Sequence, residues 1–313
     1  MLPINIDLPP GFLEAEPKTL IVSKKRKELW AVVLDLVMQL DRVCKKHGIR
    51  YFCDGGTSLG AARHKGFIPW DDDLDVIMSR EEYQKLCSVA PGEFTHPYFW
   101  QTNETDPGSA RGHAQLRNSE TTGILKMEMR EGKPIYHFNQ GLFIDVFPFD
   151  HIPDDESERK QFISEMKVAK CKIHRVRLDR IREKELKRRL SLRSLFRGFK
   201  PMLREWWARR CGVDRLSQAC LELDSLAQKY DNVMTREMAP ISFNPEHREV
   251  LPSHFFDEAT ELDFEFVKLP VLKHYKEALA INYGNWREHV IGGAAHGGMF
   301  VDVDHPYTDY LEK

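Results

Sequence analysis

The chain has 313 residues, enough for one large hydrophobic core or a core with an attached region. Apolar residues make up 42% and charged residues 30%, the mix of an ordinary globular protein. The formal net charge of −2 gives no global argument for nucleic acid, and no run of about 18 apolar residues is present to span a membrane.

Residues 1–22 contain prolines, lack periodicity and read as an arm. They show no basic segment leading into an apolar stretch, so no secretory signal is expected. From Lys24 to His47, Leu29, Val32, Val33, Leu36, Leu40 and Val43 recur at helical spacing, with Gly48 as the stop. Arg50 to Cys53 predicts a short strand delivering Asp54 and the Gly55-Gly56 turn. Thr57 to His64 predicts a helix whose N-terminal amides face that turn. Gly66 and Pro69 break it. Leu74 to Met78 reads as a buried strand, and Ser79-Arg80-Glu81-Glu82 as a capping box opening a helix to about Val89.

Tyr98–Gln101, His113–Arg117 and Leu142–Phe147 are further strand candidates. Glu156 to Tyr230 is nearly all helical in pattern, with an interruption expected near Gly198–Pro201. Within it, Lys167 to Arg210 carries 17 Lys and Arg against 4 Asp and Glu, a local +13. Glu261–Val267 predicts the entrance of a strand pair, Val271–Tyr283 a helix stopped by Gly284, and Gly292–Gly298 a loop. The mixture indicates an α/β (α+β) sheet with flanking helices. The corresponding division is an arm (1–22), a catalytic core (23–155), a basic helical region (156–235) and a C-terminal part completing the active-site domain (236–313).

Cys44, Cys53, Cys87, Cys171, Cys211 and Cys220 form no C-x-x-C pair and have no clustered histidines, which argues against structural zinc. Scattered single cysteines predict free thiols in a reducing compartment.

The chemistry concentrates between Asp54 and Asp75. Glycines let a backbone approach phosphate oxygens, and carboxylates two apart on a strand share a face. Asp71, Asp73 and Asp75 in that arrangement repel one another unless a cation intervenes, and Mg2+ or Mn2+ suits such oxygen ligands. The plainer alternative is a solvated acidic turn. Arg63 and Lys65 are candidates to neutralise phosphate, or else surface charges. Asp145 lies inside the apolar run Phe143–Phe149, where an uncompensated charge is costly. His289, His296 and His305 are candidate bases for an attacking hydroxyl, and Asp302 and Asp304 read as solvated. The basic block has three readings: the solvated face of core helices, an anionic membrane surface or phosphorylated lipid met with Leu195, Phe196, Phe199, Met202, Trp206 and Trp207 as anchors, or nucleic acid. No recognition motif supports the last.

At these residues the chain resembles the LicD family, which includes fukutin and fukutin-related protein. The resemblance is densest over Gly55–Val76 (GGTSLGAARHKGFIPWDDDLDV), and continues in Ile144-Asp145-Val146-Phe147-Pro148, Tyr283-Gly284-Asn285-Trp286 and Val303-Asp304-His305-Pro306-Tyr307. It implies a nucleotidyltransferase-like mixed sheet with a helical basic insertion. It implies Asp73 and Asp75 as central metal ligands, Asp71 alongside and Asp145 as the carboxylate of another strand, with Asp72 facing away. Gly55, Gly56, Thr57 and Ser58 would cradle phosphate. The implied reaction transfers phosphocholine, or a similar phospho-alcohol, from CDP-choline or another CDP-alcohol onto a glycan hydroxyl, with His296 as a catalytic candidate. Choline would favour an aromatic wall, for which Trp70, Trp100 and Phe147 are candidates. The implied place of action is the cytoplasm or the inner face of the membrane, on a glycan or its lipid-linked precursor. A sugar nucleotidyltransferase, a D-x-D glycosyltransferase and a non-catalytic glycan- or membrane-binding regulator are the competing readings.

Overall fold

A computed structural model describes residues 2–15, 22–188, 192–240, 249–290 and 298–311. Seven α-helices run through the described residues: α1 (Lys24–His47), α2 (Gly55–His64), α3 (Arg80–Glu93), α4 (Glu156–Arg188), α5 (Leu192–Arg210), α6 (Arg215–Ala227) and α7 (Tyr275–Tyr283). The strands are β1 (Phe52–Cys53), β2 (Asp75–Ser79), β3 (Tyr98–Gln101), β4 (Ala114–Asn118), β5 (Thr122–Leu125), β6 (Met129–Arg130), β7 (Lys133–Pro134) and β8 (Leu142–His151). They continue with β9 (Glu237–Pro240), β10 (Leu251–Pro252), β11 (Ala259–Phe264), β12 (Val267–Leu272) and β13 (Met299–Asp302).

The main sheet runs β10-β9-β8-β2-β1-β12-β11, with β3 and β4 joined through β8. It is mixed: β2 lies parallel to β8 and β1 parallel to β12, while β1–β2, β4–β8 and β8–β9 are antiparallel. One edge of β8 is shared. Its first half pairs with β4 and its last residues with β9, so β8 delivers its N-terminal end between β4 and β2.

Alternation along the strands sorts side chains between two faces. Val76, Met78, Ile144 and Val146 join the core built by α1. Ile77, Phe147 and Phe149 point the other way, with Phe52, Phe255, Phe256 and Ala278. Asp75 and Asp145, two residues before Ile77 and Phe147, belong to this second face.

The helix α1 forms where periodicity places it. The Ser23 hydroxyl accepts from Arg26 N–H, and Gly48 closes the helix in the left-handed region. The N-terminal arm is docked: Leu2, Ile4, Ile6 and Phe12 pack on the core, and Asn5 N–H donates to buried Asp35 at 2.9 Å.

Three local expectations are corrected. Ser79 starts α3 without a side-chain cap bond, because Glu82 is drawn instead to the Arg50 N–H and guanidinium. The helix α5 runs through Gly198 and Pro201. Proline removes one backbone bond there, while Arg204–Asp179 and Arg209–Glu183 tie the helix to α4. Val271 and Leu272 are strand rather than helix, because Val271 lies between Cys53 and Thr260, and α7 begins at Tyr275.

The helices α4 and α6 share a separate apolar cluster around Phe162, Met166, Val176, Leu216 and Leu223. Among the described residues the cysteines are free and no helix is long and apolar enough to cross a membrane.

Candidate active site

Asp54 precedes α2, and its N–H bonds to the Asp75 carbonyl at 3.1 Å, closing the helix start onto β2. Gly55 has φ +57, a conformation open to glycine. A Cβ on Gly56 would sit 2.7 Å from Asp71 Oδ2, and one on Gly55 would sit 3.3 Å from Asp75 Oδ2. The two glycines therefore let the carboxylates crowd the helix N-terminus.

Asp75 and Asp145 are register partners across the parallel β2–β8 pair. Asp145 Oδ1 accepts from Gln115 Nε2 at 2.6 Å and meets His113 Nε2 at 2.9 Å. Arg117, 1% exposed, donates to Gln115 Oε1, so the Gln115 amide must turn its NH2 toward Asp145. Burial pushes the Arg117 guanidinium down to about 9.

Electrostatics divide the carboxylates. Burial, then the charges of Asp73, Asp145, Asp71 and Asp54, push Asp75 well above its usual range. Burial and neighbouring Asp73 push Asp71 up to about 8, and burial raises Asp54 to about 6. Burial would also raise Asp145, but His113, Gln115 and Arg111 outweigh it and hold that carboxyl low. Among the described residues no Lys or Arg ion pair reaches Asp54, Asp71 or Asp75, and the nearest triple of ligand atoms, within 4.8 Å, is Asp71, Asp72 and Asp73. Asp72 thus joins this group instead of turning away.

Residues 48–177 match the family model described as LicD/FKTN/FKRP, nucleotidyltransferase domain. This segment is similar to the LicD/FKTN/FKRP nucleotidyltransferase domain. The lipopolysaccharide cholinephosphotransferase LicD of Haemophilus influenzae is 33% identical over 129 residues, 41% of this chain and 46% of that protein. An uncharacterized protein of Rickettsia prowazekii is 36% identical over 78 residues, 25% of this chain and 28% of that one. The ribitol 5-phosphate transferase FKRP of Homo sapiens is 48% identical over 40 residues, 13% of this chain and 8% of that protein. The matched stretches thus span less than half the length of these relatives.

Other expected site residues are distributed unevenly around the matched segment. Thr57 and Ser58 are buried, and the Thr57 hydroxyl accepts the Asp75 N–H at 3.0 Å, fastening the acidic strand. Arg63 and Lys65 lie at the far end of α2, roughly 12–15 Å from Gly55 at 1.5 Å per residue. Arg63 donates to the carbonyls of Trp286 and Glu288, so it holds the C-terminal segment. The His289 ring packs on His64, and His305 bonds to Asp302 at 2.9 Å. Asp302 itself also takes the Tyr310 hydroxyl and is engaged rather than merely solvated. His296 and most of the Gly292–Gly298 loop lie outside the described residues.

Trp70 packs beside Leu59, Ile68 and Trp286, while Phe147 lies against His113 with ring centroids 4.3 Å apart. Residues missed in the sequence are Asp54, His113, Gln115, Arg117 and Tyr283. The Tyr283 hydroxyl would lie 3.8 Å from a Gly55 Cβ, and burial and four surrounding aspartates raise its pKa. His113, Gln115 and Arg117 alternate with Ala114 and Leu116, a polar strand face that was readable.

Proposed function

We propose that the chain is a metal-dependent transferase that moves phosphocholine, or a similar phospho-alcohol, from a CDP-linked donor to a sugar hydroxyl, releasing CMP. The acceptor in this reading is a cell-surface glycan or its lipid-linked precursor, met at the cytoplasmic face of the membrane. The observation that carries it is the pairing of Asp75 with Asp145 across parallel strands beside the Gly55-Gly56 helix start, within the LicD-type segment. The names of the Haemophilus and human relatives, both transferases of a phospho-alcohol type, support the class.

The donor set fits a hard divalent cation. It offers carboxylate oxygens alone, and Asp71 and Asp75 are held above their usual range by burial and mutual repulsion that a cation would relieve. Asp71, Asp73, Asp75 and Asp145 would hold Mg2+ or Mn2+, which when bound offsets charge on the donor diphosphate. The chain's own residues do the rest. The first amides of α2 face phosphate at Gly55 and Gly56. Thr57 fixes Asp75, and His113 and Gln115 occupy Asp145 Oδ1 so that Oδ2 is left for the cation. In the transfer the acceptor oxygen–phosphorus bond forms as the bond to CMP breaks, and the hydroxyl proton passes to a base.

The test is CMP release from CDP-choline with Mg2+ and a glycan acceptor. We expect release in the wild type and none in Asp73→Ala. Release of UMP or UDP from sugar nucleotides instead would overturn the donor assignment.

We also propose that α5 rests on an anionic membrane. Phe199, Trp206 and Trp207 are 51%, 50% and 60% exposed on a helix rich in Lys and Arg. Co-sedimentation with phosphatidylserine vesicles should fall with salt and with Trp206→Ser/Trp207→Ser. Binding indifferent to both would refute it.

A further inference from the structure

A cavity of about 370 Å3 opens between α3, the segment following β3 and α6, and is lined in part by His113, whose Nε2 meets Asp145. Its walls include the rings of Tyr83 and Trp100 together with Asn103, Arg111, His113 and Asp224. Four of these residues carry a buried polar atom with no hydrogen-bond partner among the described residues: Trp100 Nε1, Asn103 Oδ1, Arg111 Nε and His113 Nδ1. An orphaned buried group is costly, so their gathering around one cavity calls for a ligand.

The chemistry of these atoms selects its class. Trp100 Nε1–H and Arg111 Nε–H are donors, and the Arg111 guanidinium is anchored by Glu128 at 2.8 Å. Asn103 Oδ1 is an acceptor. His113 Nε2 meets the Asp145 carboxylate, and its Nδ1 is left over for a group that can donate or accept. A phosphate or other anion would meet no uncompensated cation, because Arg111 is paired with Glu128, and Arg80 with Asp150 and Asp224. A quaternary ammonium has neither an N–H nor a lone pair to offer these atoms. A neutral hydroxyl both donates and accepts, and aromatic walls suit the apolar faces of a sugar ring. Asp224 is already paired to Arg80 at 2.8 Å, so it brings no free charge against a neutral ligand. The volume lies within the usual range for a small-molecule pocket. Slight turns of these side chains would bring their polar atoms to the cavity surface, as is common on binding.

We infer that this cavity is the saccharide subsite, holding a neutral sugar with one hydroxyl on His113 Nδ1. The inference rests on the transfer reading for its role as acceptor site, because His113 touches the cavity and Asp145 together. Sugar binding itself is independent of that reading.

The experiment follows the Trp100 indole N–H resonance of the 15N-labelled full chain, assigned with Trp100→Phe. Glucose, galactose, N-acetylglucosamine and N-acetylgalactosamine are titrated to tens of millimolar without nucleotide, with choline chloride and inorganic phosphate as the other arms. At least one sugar should shift the resonance saturably, and neither choline nor phosphate should. Asn103→Ala and Arg111→Lys should each weaken that sugar about tenfold, the loss of one hydrogen bond. No shift with any sugar, saturation by choline or phosphate, or unchanged affinity in both variants would overturn the assignment. Asp73→Ala should bind sugar as the wild type does. Sugar binding without CMP release in the wild type would sink the transfer reading and leave the subsite standing.

Discussion

Two groups of carboxylates sit in this chain under opposite electrostatic regimes. In the helical region, Asp179, Glu183 and Glu205 are 2%, 5% and 1% exposed. Each is met by arginine: Arg204 and Arg215 at Asp179, Arg209 at Glu183, and Arg180 and Arg215 at Glu205. At the mouth of β2, Asp54, Asp71 and Asp75 lie half-buried beside one another with no such partner among the described residues, and their pKa values rise. The first group spends part of the basic block on the fold. The second holds negative charge that folding leaves uncompensated, the condition under which a cation binds.

The same substitution should therefore act in opposite directions in the two groups. Asp75→Asn should lower CMP release by on the order of 10³-fold, the loss of several kcal/mol of transition-state stabilisation. It should also raise the urea midpoint of the metal-free protein, because a repelled charge is gone. Destabilisation by Asp75→Asn would break the comparison. The compensated side has its extreme in Arg80, whose side chain is 6% exposed and bonds Asp150, 0% exposed, through two nitrogens. Arg80→Ala should cost about 3–5 kcal/mol in urea unfolding by stranding Asp150. Asp179→Asn should cost less, about 1–3 kcal/mol, because Arg204 is half exposed and keeps its water.

The contrast also explains what could be read before the structure. Asp145 was legible because a lone carboxylate in an apolar strand demands a partner, and β2–β8 pairing supplies Asp75 opposite it. The helix α1 and its Gly48 stop were legible from spacing alone. Arg63 and Lys65 misled because nearness in sequence is undone by helical rise, which carries them away from Gly55. Tyr283 reaches the site from more than 200 residues away, a closure no local pattern announces. The arginines of the basic block were ambiguous for a related reason. Their acidic partners Asp179, Glu183 and Glu205 lie within the same helical region, and only the packing of α4 on α5 and α6 shows which meet.

A gentler perturbation sharpens the uncompensated side. Gln115→Leu leaves Asp145 in place and removes a 2.6 Å bond that orients it, together with the acceptor for Arg117. CMP release should fall about 10–100-fold, as for other residues that orient a metal ligand. An effect as large as that of Asp75→Asn would mean that Gln115 does more than position Asp145.

The smallest effect is one of slope. Asp71 has its folded pKa pushed up to about 8 by burial and Asp73, against an ordinary value near 3.8. Between those values the folded state keeps a proton that the unfolded chain has released, so stability must fall as pH rises. The contribution is fully present below about pH 4 and lost as pH climbs through about 8. Asn at position 71 does not titrate. The unfolding free energy of the wild type minus that of Asp71→Asn should therefore decline from pH 4.5 to 8.5 without divalent cation. Saturating Mg2+ should reverse the decline, because the cation competes with the proton for the same oxygens. A difference that stays flat with pH and ignores Mg2+ would place Asp71 among the compensated carboxylates and erase the distinction between the two groups.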